Sequence, residues 1–294
     1  MSLLEAIILG IIQGITEFIP VSSSGHLAIV ESLLHIDMDT GILFDVMLHC
    51  GTLIAIFMAF RSDIIRMVVE LIHIVRDIGH NLHSYIYDKI HDTENRKYKK
   101  LLYNNYRSLA VYLMISTACT AIVGYILKPM AEAYAKSLLA VGLGFLITAV
   151  VLLVVDYWDY GTRIPKDITW VQAVVLGICQ GFGVFPGVSS LGITLTCGLL
   201  LGFKKNFAIK YALLLSIPST IGAMLMEAGN FSSVSMTVSL GAIYIVGMIV
   251  AAVVGYFCIR YIVKFVQKRG FRIFSAYSLL LGIAAIGCYF RFVN

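Results

Sequence analysis

Leu9-Gly10-Ile11-Ile12-Gln13-Gly14 occurs a second time as Leu176-Gly177-Ile178-Cys179-Gln180-Gly181, 167 residues further along the chain. Each copy runs on into proline, serine and glycine: Pro20-Val21-Ser22-Ser23-Ser24-Gly25 in the first and Pro186-Gly187-Val188-Ser189-Ser190-Leu191-Gly192 in the second. The serines and the closing glycine keep the offset, whereas the proline slips by one. Both copies sit inside apolar segments, so each reads as a hydrophobic helix interrupted by small and hydroxylic residues at membrane depth. Backbone leaves the helix there only where protein or a water-filled cavity satisfies it. Paired, interrupted segments in two halves of a chain point to a binding site near the bilayer midplane.

The rest of the chain fits that reading. Hydrophobic residues make up 59% and charged residues 13%, where a soluble protein carries about a quarter charged. The chain is therefore expected to be a polytopic membrane protein. Its net charge of +5 gathers in loops, which bears on membrane orientation and not on nucleic acid. The first apolar stretch carries Glu5 and Glu17 and lacks a basic leader, so it is expected to belong to the mature fold. Cys50, Cys119, Cys179, Cys197, Cys258 and Cys288 are scattered through apolar segments without a CxxC spacing, as small packing residues would be.

Crossing a hydrocarbon core of about 30 Å takes about 20 helical residues. Six segments qualify: 41–60, 109–127, 138–155, 208–226, 240–258 and 273–289. The regions 3–34 and 170–203 are each split by a break into halves too short to span, and read as re-entrant helical hairpins. Basic residues crowd 61–107 (Arg96, Lys97 and Arg107 among them), then Lys204, Lys205 and Lys210, then Arg260, Lys264, Lys268, Arg269 and Arg272. Placing all three clusters in the cytoplasm agrees with six crossings. The first hairpin then enters from outside and the second from the cytoplasm. The expected fold is an all-α polytopic membrane domain covering 1–294. It is made of two inverted-topology repeats, about 1–156 and 168–294, each a hairpin plus three transmembrane helices. The segment 73–106 reads as an amphipathic cytoplasmic arm on the lipid headgroups.

Glu17 and His26 flank the first serine cluster. A charge at the membrane centre costs about 2.5–3.5 kcal/mol on insertion scales, so such residues are expected to have partners and a purpose. Pro20 should end one half-helix, and the next should begin near Ser24 or Gly25 with free N–H groups facing the break. Together with the hydroxyls of Ser22, Ser23 and Ser24, these would suit a phosphate or diphosphate. The second break offers Ser189, Ser190 and Thr194 to the same cavity. Asp45 and His49, one turn apart, are either partners of Glu17 and His26 or a pair that fixes helix packing.

The run Gln13-Gly14-Ile15-Thr16-Glu17-Phe18-Ile19-Pro20-Val21-Ser22-Ser23-Ser24-Gly25-His26 resembles the signature of the bacterial undecaprenyl-diphosphate phosphatase family, the bacitracin-resistance type. Phe44-Asp45-Val46-Met47-Leu48-His49-Cys50-Gly51-Thr52-Leu53 and Leu214-Leu215-Ser216-Ile217-Pro218 resemble further stretches of it. The resemblance runs over essentially the whole chain. It implies a multi-pass enzyme of the bacterial cytoplasmic (inner) membrane that removes the terminal phosphate of a polyprenyl diphosphate with the help of a divalent cation, magnesium or calcium. That reaction recycles the lipid carrier for cell-wall synthesis. A homodimer is one assembly open to it.

Carried over by position, Glu17 would bind the metal or act in acid–base chemistry. Ser23 and His26 would supply the nucleophile or its activator, in either order. Gln13, Ser22, Ser24, Gly25, Ser189, Ser190 and Thr194 would line the substrate. The chain departs from the pattern at three places. The arginine of the second motif is Ser190 and the serine after it is Leu191. The arginine that follows the tyrosine of the last crossing is Ser278, and Gln13 stands where glutamate is common. Arginine is the usual fixed clamp for phosphoryl charge. A homologue that binds or translocates polyprenyl phosphate without efficient hydrolysis is therefore the alternative expectation.

Overall fold

Small residues and helix caps set the architecture. The computed structural model describes residues 1–36, 38–91, 98–135, 137–227, 237–268 and 270–293, so Arg96, Lys97 and Arg269 lie outside the described residues. The helices are α1 (Leu3–Thr16), α2 (Ser23–Leu33), α3 (Met38–Ala59), α4 (Arg61–His91), α5 (Asn105–Tyr134), α6 (Leu138–Asp156), α7 (Trp170–Gly181), α8 (Ser190–Leu200), α9 (Lys205–Glu227), α10 (Val238–Lys268) and α11 (Arg272–Val293). Ser2 and Glu5 close a reciprocal capping box on α1, and Thr169 and Gln172 do the same on α7. Asn104, Ser137 and Ser189 cap α5, α6 and α8. Each side-chain oxygen takes up an N–H that the first turn leaves without an internal partner.

Helices α5, α6, α9, α10 and α11 are long and apolar enough to cross a membrane, and α3 with α4 makes a sixth candidate bent by 82°. The short helices α1, α2, α7 and α8, of which α1, α7 and α8 are apolar, form the two interrupted regions. The protein is an all-α, multi-pass membrane protein.

The glycines of the repeated motif bring helices together. Gly10 and Gly14 lie against the backbone of α10, where an added Cβ would come within 2.7 Å of the Gly247 carbonyl and 2.9 Å of the Ala251 carbonyl. Gly177 occupies the matching position on α7 and packs on α5, 2.3 Å from the Ser116 carbonyl by the same measure. Close approach between small residues is how helices associate in lipid, where apolar contact alone gives no preference for a partner. Helix α1 thus rests on α10 and α7 on α5, while α6 and α11 pack together and α2 and α8 both lie against α6.

The amphipathic arm starts earlier than expected. Helix α4 begins at Arg61, not near residue 73, because the apolar stripe Ile65, Val68, Ile72, Val75, Leu82 and Ile86 holds helical spacing throughout. That stripe is exposed. On the opposite side Arg107 is buried, its Nε 2.7 Å from Glu70 Oε2 and its Nη1 2.7 Å from Asp77 Oδ2. A residue counted with the cytoplasmic surface charge is thus an internal lock between α4 and α5. Hydrogen bonds from Arg107 hold both carboxyls below the usual carboxylate range.

Candidate active site

Helix α1 stops at Thr16, and Glu17 forms its C-cap. Helix α2 starts at Ser23, slightly before the expected Ser24 or Gly25, because Ser22 is the cap: its Oγ accepts the Gly25 N–H at 3.2 Å. Ser22 is held at φ 67°, a left-handed conformation costly for a residue with a Cβ. The strain is sustained by what the turn achieves. The Ser22 carbonyl accepts His26 Nδ1–H at 2.6 Å, and the chain doubles back so that Ser23 meets Glu17.

Ser23 Oγ donates to Glu17 Oε2 at 2.7 Å. The same oxygen accepts Gln13 Nε2 at 3.0 Å, and Gln13 Nε2 also lies 3.0 Å from His49 Nδ1. His49 Nδ1 is 3.8 Å from Glu17 Oε2. Gln13 is buried, and its Oε1 accepts no hydrogen bond among the described residues. Ser24 is exposed, and its Oγ lies 3.3 Å from that of Ser22. The N–H groups of Ser23 and Ser24 open the helix with no acceptor among the described residues, which leaves donors for an anion.

His26 faces away from this cluster. With Nδ1–H given to Ser22, its Nε2 is the acceptor for Tyr277 OH at 2.8 Å, and the Tyr277 ring stacks on the imidazole at a centroid distance of 5.6 Å. Phe145 meets the same ring edge-on at 5.2 Å. Asp45 and His49 do not act together. His49 joins Gln13 and Glu17, whereas the Asp45 carboxyl lies beside that of Glu31 on α2.

The second break lies against the first: a Cβ on Gly25 would be 2.8 Å from Gly187 Cα, and one on Gly192 would be 3.5 Å from Pro20 Cβ. Its polar groups are mostly engaged internally. Ser189 is buried, caps α8 through Gly192 N–H at 3.0 Å, and gives its own N–H to Thr148 Oγ1 at 2.9 Å. Buried Thr194 donates to Gln180 and to the Ser190 carbonyl. Ser190 is half-buried beside Gly183, and Leu191 packs on the main apolar core. Ser278 is fully buried, and its hydroxyl has no partner among the described residues.

Tyr277 and Glu31 are the residues that sequence reasoning missed. A glutamate inside an apolar helix was a usable signal for Glu31. Tyr277 had a positional signal, since it directly precedes Ser278, one of the departures from the family pattern.

Similarity to known proteins extends over almost the whole chain. The chain is 36% identical over 286 residues to an undecaprenyl-diphosphatase of Methanosphaera stadtmanae, covering 97% of this chain and 98% of that protein. Proteins of the same name from Alkaliphilus metalliredigens (32%, covering 97% and 98%) and Methanobrevibacter smithii (31%, covering 96% of each) are similar over comparable lengths. The model of the bacitracin resistance protein BacA family matches residues 6–284, and the chain belongs to that family.

Proposed function

We propose that this protein is an integral membrane phosphatase that hydrolyses undecaprenyl diphosphate, or a similar polyprenyl diphosphate, to the monophosphate and inorganic phosphate. The reaction takes place on the outer side of the cytoplasmic membrane and recycles the lipid carrier for cell-wall synthesis. The two halves, 1–156 and 168–294, act as inverted repeats of one domain. The observation that carries the reading is the 2.7 Å hydrogen bond from Ser23 to Glu17. A hydroxyl within hydrogen-bond reach of a fixed carboxylate is the arrangement of an activated nucleophile.

In the proposed reaction Ser23 Oγ attacks the terminal phosphorus as Glu17 takes its proton. The bridging P–O bond breaks, polyprenyl monophosphate leaves with the proton that Glu17 held, and the carboxylate is restored. Glu17 then takes a proton from water as the water oxygen attacks phosphorus, the Ser23 Oγ–P bond breaks, and that proton passes to Ser23 Oγ as phosphate is released. The N–H groups of Ser23 and Ser24 are aimed where charge gathers on the phosphoryl oxygens, a role that preorganised donors fill at little reorganisation cost. Taking up a proton at Nε2, His26 would release the Tyr277 hydroxyl and donate to a phosphate oxygen instead. Gln13 orients the carboxylate and His49 orients Gln13.

A divalent cation suits this donor set. The orphaned Gln13 Oε1 and the Glu17 carboxylate are hard oxygen donors, and Mg²⁺ is often held by one or two such groups plus water and substrate phosphate. Among the described residues no three His, Cys, Asp or Glu side chains gather around a metal position, so water and substrate would have to supply the remaining ligands. When bound, it would neutralise diphosphate charge that the missing arginines leave unmatched.

The test is phosphate release from a polyprenyl diphosphate by the purified protein, with and without magnesium or calcium. Metal-dependent release that disappears in Glu17→Ala, Ser23→Ala and His26→Ala is expected. Release unchanged by Ser23→Ala would remove it as nucleophile, and no release with any metal would turn the reading toward a carrier.

A further inference from the structure

Away from the serine cluster, a cavity of about 330 Å³ opens where the starts of α5 and α9 meet the turn at Pro165. Lys204, Lys210, Asn105, Asn206 and Tyr106 line it together with Leu109 and Phe207. Polarity is graded across it. Lys204, Asn105 and Asn206 are exposed at the rim, while Leu109 and Phe207 are buried at the floor.

The two lysines are held differently. Lys210 Nζ is 2.7 Å from Asp63 Oδ1, which also accepts Tyr106 OH at 2.9 Å, so α4 fixes this wall. Lys204 has no acidic partner among the described residues, which leaves one ammonium uncompensated at the rim. Arg66 adds a third cation, donating to Tyr106 OH at 3.2 Å. The cavity lies among the basic clusters that the positive-inside rule puts in the cytoplasm, on the side away from the proposed hydrolysis.

We propose that this cavity binds the phosphate headgroup of an anionic lipid from the cytoplasmic leaflet, with Lys204 and Lys210 on the phosphate, Asn206 hydrogen-bonding its oxygens, and the glycerol and first methylenes resting on Leu109 and Phe207. Basic pockets between transmembrane helices on that side suit lipid phosphates. The apolar floor is what separates a lipid ligand from free phosphate, which has nothing to place on it. Occupancy would tie the start of α4 to α5 and α9.

The experiment uses the full-length protein in detergent and measures binding of dioctanoyl phosphatidic acid, dioctanoyl phosphatidylcholine and inorganic phosphate. Phosphatidic acid should bind, and Lys204→Gln and Lys210→Gln should each weaken it about fivefold, the effect of one basic residue near a charged lipid surface. Ser23→Ala, at the other site, and Arg291→Gln, at the far end of α11, should leave that lysine-dependent binding unchanged. Equal binding by both lysine variants would overturn the assignment. So would equal binding of phosphatidylcholine. Inorganic phosphate competing at the same concentration as the lipid would overturn the lipid part of it.

Discussion

The two breaks start from nearly the same sequence and end as different devices. In the first, the left-handed backbone position falls on Ser22, and the strain turns Ser23 onto Glu17. In the second it falls on Gly187, which adopts φ 79° freely. The first break leaves polar groups open: Gln13 Oε1, the N–H groups of Ser23 and Ser24, and exposed Ser24. The second closes on itself, with Ser189 tied to Gly192 and Thr148, and Thr194 to Gln180. Gln13 and Gln180 occupy matching places, yet one touches a carboxylate and the other reaches Ser219 at 3.3 Å. Duplicated sequence supplies duplicated packing, and chemistry remains only where ionisable groups were placed beside it.

Substitution at matched serines should give the largest contrast. Ser23→Ala is expected to lower phosphate release by a thousandfold or more, as removal of a nucleophile does. Ser190→Ala, 167 residues on, should change it less than tenfold. Similar losses at both sites in a release assay would erase the distinction between the breaks.

The next test asks whether the second break can be given chemistry. Ser190→Arg should raise turnover by roughly tenfold or more, on the scale of one recovered charged donor to the phosphoryl group. Leu191 is best left in place, since its packing on the core makes Leu191→Ser a loss of buried apolar surface. A well-folded Ser190→Arg protein with unchanged turnover would mean that the missing arginine does not limit the rate.

Tyr277→Phe keeps the ring stacked on His26 and deletes only the hydroxyl. A neutral hydrogen bond contributes about 0.5–1.5 kcal/mol, so turnover should change by up to about tenfold. A shifted pH profile should accompany it, because His26 loses its fixed partner; an unchanged profile would make Tyr277 a packing residue. Thr194→Val, in the closed break, should instead cost stability, about 1 kcal/mol for a buried hydrogen bond, with the rate per folded molecule unaltered.

The smallest effect lies outside both breaks. Hydrogen bonds from Arg107 lower the pKa of Glu70 and of Asp77 in the folded state. Their contribution is therefore full above the unfolded carboxylate values near pH 4 and fades as pH falls through the lower folded values. Thermal unfolding followed from neutral pH downward should show this acid-side loss, and Arg107→Gln should flatten it. An equally steep loss in the variant would place the acid sensitivity elsewhere.

Much of this could be read along the chain because it depends on neighbours in sequence. Apolar length marked the crossings: α5, α6, α9, α10 and α11 fall on five of the six expected segments, and α3 lies on the sixth, which qualifies only together with α4. The interrupted regions emerged as paired short helices because proline, serine and glycine end helices locally. The candidate residues Gln13, Glu17, Ser22 and Ser23 converge because a single tight turn joins them. Tertiary structure alone decided who bonds to whom beyond that turn. Gln13 meets His49, and His26 pairs with Tyr277, 251 residues away. Asp45 turns to Glu31, and Arg107 is buried under α4. Helical periodicity says which face a residue occupies. Which helix it faces is set by the register of one helix on another, fixed here by small-residue contacts such as Gly10 on Gly247 and Gly177 on Ser116.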